Sequence, residues 1–378
     1  MNILFDLVPV SPTVQFEGGM LYGENVFFAL QKRNKNLIGI YDSERYINSK
    51  ILESGIKLYD INHISLKEVV EKENIDVFYT FQYKRQDKFQ VSVKRYIITW
   101  HDVRGLELLY DKIELHYTEN FYMKVKKMID IMMRLFIRNP SERINNKKAS
   151  VENAEYITDS QHSKHSIIGF YPHLAEKNIP VFYPPLSDEL VELSQPRFTP
   201  KSYFLLTSSS RWIKNNLRAV WALDELFAQR SDLNFKVILT DVACEKIYAK
   251  GLKNKERFVF LNYVERAELL SLHKNAYAFI YPSLNEGFGY PPVESMRYGV
   301  PVAASGTTAV PEICQNAAIY FDPYNMSEIK NRILQLLDKD IYTEYSARAV
   351  ERYKIISERQ RMDLGKIVNF ILGEKSPL

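Results

Sequence analysis

The sequence predicts an α/β protein built as two domains. Its 378 residues exceed what one ordinary core accommodates. Hydrophobic residues make up 46% and charged residues 25%, a globular composition that excludes a disordered, collagen-like or disulfide-stapled chain. Short apolar runs alternate with longer amphipathic stretches, the pattern of parallel sheets covered by helices on both faces.

In the first half, apolar runs at 3–8, 77–81, 96–99 and 156–158 read as strands. In the second half the runs are 203–207, 235–239, 258–261, 277–281, 300–304 and 319–321. Continuous runs this short suit strands buried on both faces. Helical periodicity is expected from about 22 to 31 and over 216–229, 266–275 and 327–337. The best domain boundary is 181–200, which holds Pro184, Pro185, Pro196 and Pro200. The expected domains are 1–185, joined by a C-terminal helix at about 355–378, and 186–354. The stretch 341–372 has helical periodicity beyond the last strand, and a tail of this kind is expected to cross back to the first domain.

Charge and composition exclude several classes. Fifty basic and 46 acidic residues leave a net charge of +4, which gives no case for nucleic acid as a partner. Only Cys244 and Cys314 are present, so a reduced, cytoplasmic compartment is expected. Asp6 breaks the first apolar run and no basic segment precedes it, so a signal peptide is not expected. No window of eighteen uninterrupted apolar residues suggests a membrane span. Aromatics reach 13%, with 25 Tyr, which reads first as core and interface filling.

Two facing α/β domains set the carboxyl ends of two sheets across one cleft, where helix amino termini offer free N–H groups. A phosphorylated ligand is the first expectation. The run from Tyr281 to Val302 is the most informative. A strand ends at Pro282, and a loop follows with Glu286, Gly287, Phe288 and Gly289. Pro292 suits the first position of a helix that Gly299 and Pro301 end, which puts Glu294 in its first turn. A carboxylate there can accept two ribose hydroxyls, and one on the loop can meet a sugar. The plainer alternative is a tight strand-turn-helix connection with Glu294 as a favourable helix charge.

The whole run resembles the donor-site signature of the retaining glycosyltransferases of family four. That signature is two glutamates with seven residues between them and Gly-Phe-Gly following the first, as in Glu286 to Glu294. Ser295 stands where the family usually has alanine. The run Ser305 to Ile313 resembles the family's next loop, and 260–264 the turn whose backbone, at Val264, meets the nucleotide base. The resemblance is clear from about 203 to 337. It implies a GT-B fold of two Rossmann-like domains facing across a cleft. It also implies that Gly287, Phe288, Gly289, Tyr290 and Glu294 hold the donor while Glu286 fixes the sugar. Arg211 and Lys214 lie after the run 203–207, and the resemblance makes them the cations that neutralise the leaving diphosphate. Only two residues separate them, where the family often has three or four. Taken alone they read equally well as solvated basic residues.

In the first half, Gly18-Gly19 is expected on a loop before a helix, where the resemblance implies approach to the donor diphosphate and a flexible turn is the plainer reading. His101-Asp102 follows the run 96–100. A histidine at the carboxyl end of a parallel strand points toward a cleft, and the resemblance implies contact with the transferred sugar. A purely structural histidine is the alternative. Asp102 would orient the imidazole or bind the acceptor. Ser160 reads first as a helix cap. Residues 121–148 hold eight basic residues against Asp130 and Glu142, interleaved with Phe121, Met128, Ile131 and Met132. Two readings stand: contact with anionic lipid at the inner face of a membrane, or an ordinary surface helix.

The resemblance therefore implies transfer of a hexose, mannose favoured, from a GDP- or UDP-linked donor to a hydroxyl of a glycan or lipid-linked acceptor. The configuration is retained and no cofactor is expected. Asp338-Lys339-Asp340 is the one Asp-x-Asp tripeptide, and it reads as a solvated loop, so no metal is expected. The alternatives are a nucleotide-sugar epimerase of the same architecture and an inactive nucleotide-sugar-binding partner.

Overall fold

A computed structural model describes residues 1–8, 18–82, 91–108, 110–118, 120–136, 153–185 and 191–374. The chain divides into two compact units. Unit 1 gathers Met1–Val103, Asn139–Asp188 and Ser357–Leu378, and unit 2 gathers Arg104–Arg138 and Glu189–Ile356. The segment Arg104–Arg138 therefore groups with unit 2, not with the first 185 residues as expected from the sequence. Its contacts give the reason: Ile113 is buried in unit 2's core, Arg218 donates to Asp111 at 2.7 Å, and the Tyr117 and Tyr248 hydroxyls lie 2.7 Å apart.

Unit 1 holds strands β1 (Ile3–Asp6), β2 (Leu37–Tyr41), β3 (Lys57–Asp60), β4 (Val77–Thr80), β5 (Arg95–Thr99) and β6 (Ala154–Ile157). They form one parallel sheet in the order β3-β2-β1-β4-β5-β6. Unit 2 holds β7 (Tyr203–Leu206), β8 (Lys236–Leu239), β9 (Phe258–Phe260), β10 (Ala278–Tyr281), β11 (Val302–Ser305) and β12 (Ala318–Phe321). Its parallel sheet runs β12-β11-β10-β7-β8-β9. Each is a doubly wound sheet whose strand order reverses between its first and fourth strands, β1/β4 and β7/β10. Ligands of such sheets gather beyond the carboxyl ends at that reversal.

The sequence reading did not include β2 or β3. Leu37–Tyr41 is buried but broken by Gly39, and Lys57–Asp60 is an edge strand with no fully buried residue. An edge strand needs no continuous apolar run, so its signal is weak.

The helices cover both faces. In unit 2, Asn216–Gln229 and Met326–Gln335 bury Leu217, Val220, Leu223, Phe227, Ile329 and Ile333 against one face of the sheet. Met296, Val310, Cys314 and Ala349 cover the other. Each such aliphatic or aromatic burial stabilises by roughly 1.5–3 kcal/mol. In unit 1, Val26, Phe27 and Leu30 of the helix Gly18–Gln31 pack with Phe5 and Tyr79.

The last helix, Lys339–Leu372, belongs to both units, which divide between Ile356 and Ser357. In unit 2, Arg352 Nε donates to the Ile313 carbonyl at 2.7 Å and Ser346 Oγ to Gly299 at 2.6 Å. In unit 1, Ile367, Val368 and Ile371 enter the core, and Gln360 donates to the Pro184 carbonyl at 2.7 Å. The Arg95 guanidinium caps the end of the helix through the carbonyls of Phe370 and Ile371 at 2.9 and 3.0 Å. The predicted return of the C-terminal helix to the first domain is thus present. Among the described residues no helix is long and apolar enough to cross a membrane.

Candidate functional site

The reversal point of unit 2 places two loops side by side, 207–215 after β7 and 282–289 after β10. Asn215 ties them together. Its backbone is left-handed (φ 59°), and its amide donates to the carbonyls of Pro282 at 3.0 Å and Pro323 at 2.8 Å. Leu284 N donates to Ile213 at 2.9 Å. These bonds fix the short 3-10 turn Trp212–Lys214 against the second loop.

Lys214 and Glu286 meet there. Lys214 Nζ lies 2.7 Å from Glu286 Oε1 and donates to the Tyr281 hydroxyl at 3.1 Å. Ser283 Oγ donates to the same carboxylate oxygen, and Arg104 Nη2 stands 3.8 Å from the other. The Glu286 backbone N–H donates to Thr308 Oγ1 at 3.0 Å. Thr308 itself is held at φ 55°, a conformation costly for a branched residue. Both members of the pair are buried. Burial opposes the charged form of Glu286, but Lys214 and Arg104 outweigh it and hold the carboxyl at about 2. Burial also lowers Lys214, to about 8. Glu286 pulls it up, and Arg211 and Arg104 push it down further.

Arg211 immediately precedes that 3-10 turn. Its charge lowers the pKa of Lys214, so the two cations are close enough to act on one anion.

Glu294 lies on the helix Tyr290–Met296. The structure corrects its predicted place. Gly289, at φ 99°, turns the chain into the helix three residues before Pro292, so Glu294 sits in the second turn and not the first. Only glycine takes that φ without strain. Glu294 is buried and pairs with Arg266 Nη1 at 2.5 Å. His273 Nε2 is 3.5 Å from its other oxygen, and His273 Nδ1 lies 2.6 Å from Ser295 Oγ. Burial pushes His273 down to about 3, so the imidazole is neutral. Ser295, which departs from the family's alanine, thus bonds the histidine facing Glu294. Between the two glutamates, Phe288 is buried with its ring edge-on to Tyr290, centroids 5.5 Å apart. Gly287 continues the loop. Val264 lies between β9 and the helix Arg266–Asn275, packed at the margin of unit 2's core.

In unit 1, Gly18 and Gly19 form the first turn of the helix Gly18–Gln31, not the expected loop. A Cβ on Gly19 would stand 2.2 Å from Gln82 Nε2, and one on Gly23 would stand 2.8 Å from the Phe81 ring. These glycines let the helix approach the end of β4 closely. His101 follows β5, and both of its ring nitrogens are engaged, Nδ1 with Asp159 Oδ2 at 2.9 Å and Nε2 with the Phe81 carbonyl at 2.8 Å. Burial alone would lower its pKa, but Asp159 outweighs burial and raises it. Burial raises Asp159 as well. Asp102 adds a second negative charge near the imidazole, and its carbonyl accepts from Trp100 Nε1 at 3.0 Å. Ser160 caps the helix Gln161–Phe170, as expected from the sequence.

Five neighbours escaped the sequence reading: Arg104, Tyr281, Arg266, His273 and Asp159. Tyr281 opens the run that holds the two glutamates and Asp159 directly precedes Ser160, both at the carboxyl ends of strands. The other three are isolated polar residues with no motif around them. Asp338, of the Asp-x-Asp tripeptide, accepts from Asp340 N at 2.9 Å and Ile341 N at 3.2 Å at the start of the last helix. Among the described residues no three potential metal ligands cluster. In the basic run 121–148, residues 137–148 lie outside the described residues.

Comparison with known proteins bears on unit 2 most directly. Residues 194–354 match the family model for glycosyl transferases group 1. The chain is 30% identical over 197 residues to O-antigen chain mannosyltransferase RfbU of Salmonella typhimurium, which is 50% of this chain and 54% of that protein. It is 31% identical over 152 residues to O-antigen chain mannosyltransferase B of Escherichia coli, 38% of this chain and 39% of that one. The chain thus spans about half or less of the length of these curated relatives. The crystal structure of WaaG, a glycosyltransferase involved in lipopolysaccharide biosynthesis, superposes with a TM-score of 0.68 at 11% identity, covering 98% of this chain and all of that one. A sucrose-phosphate synthase from Thermosynechococcus elongatus gives 0.67 at 12% identity, covering 99% and 100%. These likenesses show the fold, that of the GT-B glycosyltransferases.

Proposed function

We propose, from the match of residues 194–354 to the family model for glycosyl transferases group 1, that the chain is a hexosyltransferase of surface polysaccharide biosynthesis. It moves a hexose, mannose favoured, from a GDP- or UDP-linked donor to a hydroxyl of a glycan or lipid-linked acceptor at the cytoplasmic face of the membrane. The observation that carries the reading is the buried Lys214–Glu286 pair at the reversal point of unit 2. Likeness to two O-antigen mannosyltransferases supports mannose.

The barrier is departure of a diphosphate with charge building on the sugar ring. Lys214 is charged at neutral pH and held by a carboxylate. An incoming diphosphate offers it a second anion, and Arg211 joins from the residue before the same turn. Glu286, relieved of part of that contact, accepts a sugar hydroxyl. Glu294 exchanges its Arg266 contact for ribose hydroxyls, with His273 and Ser295 fixing its direction. The anomeric C–O bond breaks with its electron pair leaving on the diphosphate. The acceptor oxygen bonds to the anomeric carbon on the same face, and its proton passes to the leaving phosphate oxygen. No protein nucleophile and no metal enters this scheme. In unit 1 the candidate residues are His101 and Asp102. Asp159 raises the pKa of the His101 imidazole against the effect of burial and, with the Phe81 carbonyl, fixes the ring's direction. Gly18 and Gly19 set the packing of the helix beside it.

The test is incubation with GDP-mannose and UDP-hexoses, with acceptor glycans and with or without a chelator, read by mass spectrometry and anomeric NMR. A retained-configuration product that survives chelation supports the reading. Epimerised nucleotide sugar formed without acceptor overturns it.

A further inference from the structure

The helix Phe121–Phe136 carries an apolar stripe turned away from the protein. Phe121, Tyr122, Met128, Ile129, Met132 and Met133 are all exposed, Phe121 by 81% and Tyr122 by 74%. At 3.6 residues per turn, positions 121, 122, 125, 128, 129, 132 and 133 share one side of the helix. On the opposite side Ile131 is buried and Lys127 Nζ pairs with Glu114 at 3.1 Å, which holds the helix to unit 2, while Met123 on that side is exposed. Lys124 and Lys126 are both exposed, and they flank the stripe on either edge. Elsewhere among the described residues, exposed large apolar side chains are scattered along the chain, as on any surface. A contiguous stripe edged by cations is different, since water is a poor neighbour for it and an anionic lipid surface is a good one.

We propose that this helix lies in the headgroup layer of an anionic bilayer, with the apolar stripe inserted and Lys124 and Lys126 against lipid phosphates. Charge complementarity selects lipid over a second copy of the chain. A second copy would bring the same two lysines to the same edges, and like charges would meet. Lysine stems reach along an apolar surface while their ammonium groups stay at the polar layer, the geometry an interface requires. The placement gives the enzyme proposed above a fixed position beside a lipid-borne acceptor.

The test is co-sedimentation of the full chain with vesicles of phosphatidylcholine alone and of phosphatidylcholine with phosphatidylglycerol, at low and high salt. The wild-type chain is expected to sediment with the anionic vesicles, less at high salt. Lys124→Gln and Lys126→Gln should each weaken binding about fivefold. A triple variant, Phe121→Ser, Ile129→Ser and Met132→Ser, should weaken it more than about tenfold. These side chains face solvent, so circular dichroism and the thermal transition should be unchanged. No sedimentation with anionic vesicles overturns the proposal, as does a triple variant that sediments like the wild type. A dimer that the triple variant dissociates, with no vesicle binding, assigns the stripe to a second copy and also overturns it. The assay contains neither donor nor acceptor, so its failure leaves the transfer reading untouched.

Discussion

Glu286→Gln removes one charge from a buried pair and changes little else in shape. Holding the Glu286 carboxyl at about 2, against an ordinary value of roughly 4.3, corresponds to about 3 kcal/mol at neutral pH. That contribution is complete above the unfolded value and disappears as pH falls toward 2. Lys214 shows the opposite sign. Its depressed value of about 8 means that burying the ammonium costs about 3 kcal/mol below pH 8, and the cost is relieved as pH rises toward roughly 10.4. The pair therefore nets close to zero, as buried ion pairs commonly do, yet losing one member leaves the other stranded. The variant keeps Lys214 beside Arg104 and Arg211 with no anion. At pH 7 it should lose about 3 kcal/mol of stability, roughly 6–12 °C in the transition of a unit this size. The loss should shrink above pH 9, where Lys214 is neutral in either protein. Calorimetry across pH measures this, with Lys214→Met/Glu286→Gln closing the cycle. A loss under about 1 kcal/mol, or one equal at pH 7 and above pH 9, refutes the reasoning.

Other expectations concern different parts of the structure. Gly289→Ala forces a side chain into φ 99° and should cost about 1–2 kcal/mol with slower turnover, read by thermal melting and initial rates. Gly23→Ala pushes on the Phe81 ring at 2.8 Å and should cost about 1–3 kcal/mol in chemical denaturation. The His101 imidazole should titrate above its ordinary value by NMR. Asp159→Asn should lower it, because only Asp102 and the Phe81 carbonyl then oppose burial, and an unchanged titration would contradict the Asp159 contact. Arg95→Met removes the cap on Phe370 and Ile371 and should raise amide exchange in the last turn of the terminal helix by about tenfold.

Buried parallel strands were legible because they read as continuous apolar runs, as β4, β7 and β10 do. The edge strand β3 was not, since its residues are partly exposed and carry Lys57 and Asp60. Glu286, Lys214 and Glu294 were legible as types at a spacing. Their partners were not. Arg104 reaches Glu286 from a short helix 182 positions earlier in the chain, and Arg266 reaches Glu294 from the helix after β9. Such pairing is set by sheet order, which no local run of residues encodes. The start of the helix holding Glu294 was misplaced because Pro292 is a strong local signal, while the left-handed turn at Gly289 that opens the helix leaves no periodic apolar mark. The engagement of His101 by Asp159 depends on β5 and β6 lying side by side, a tertiary fact.

The central claim is that unit 2 holds a nucleoside diphosphate through Lys214 and Glu294. Titration calorimetry with GDP and UDP, without metal, tests it most directly. Saturable binding that Lys214→Met and Glu294→Ala each weaken by more than about tenfold is the predicted result. Binding that neither substitution changes, or no binding of either nucleotide, would contradict the account.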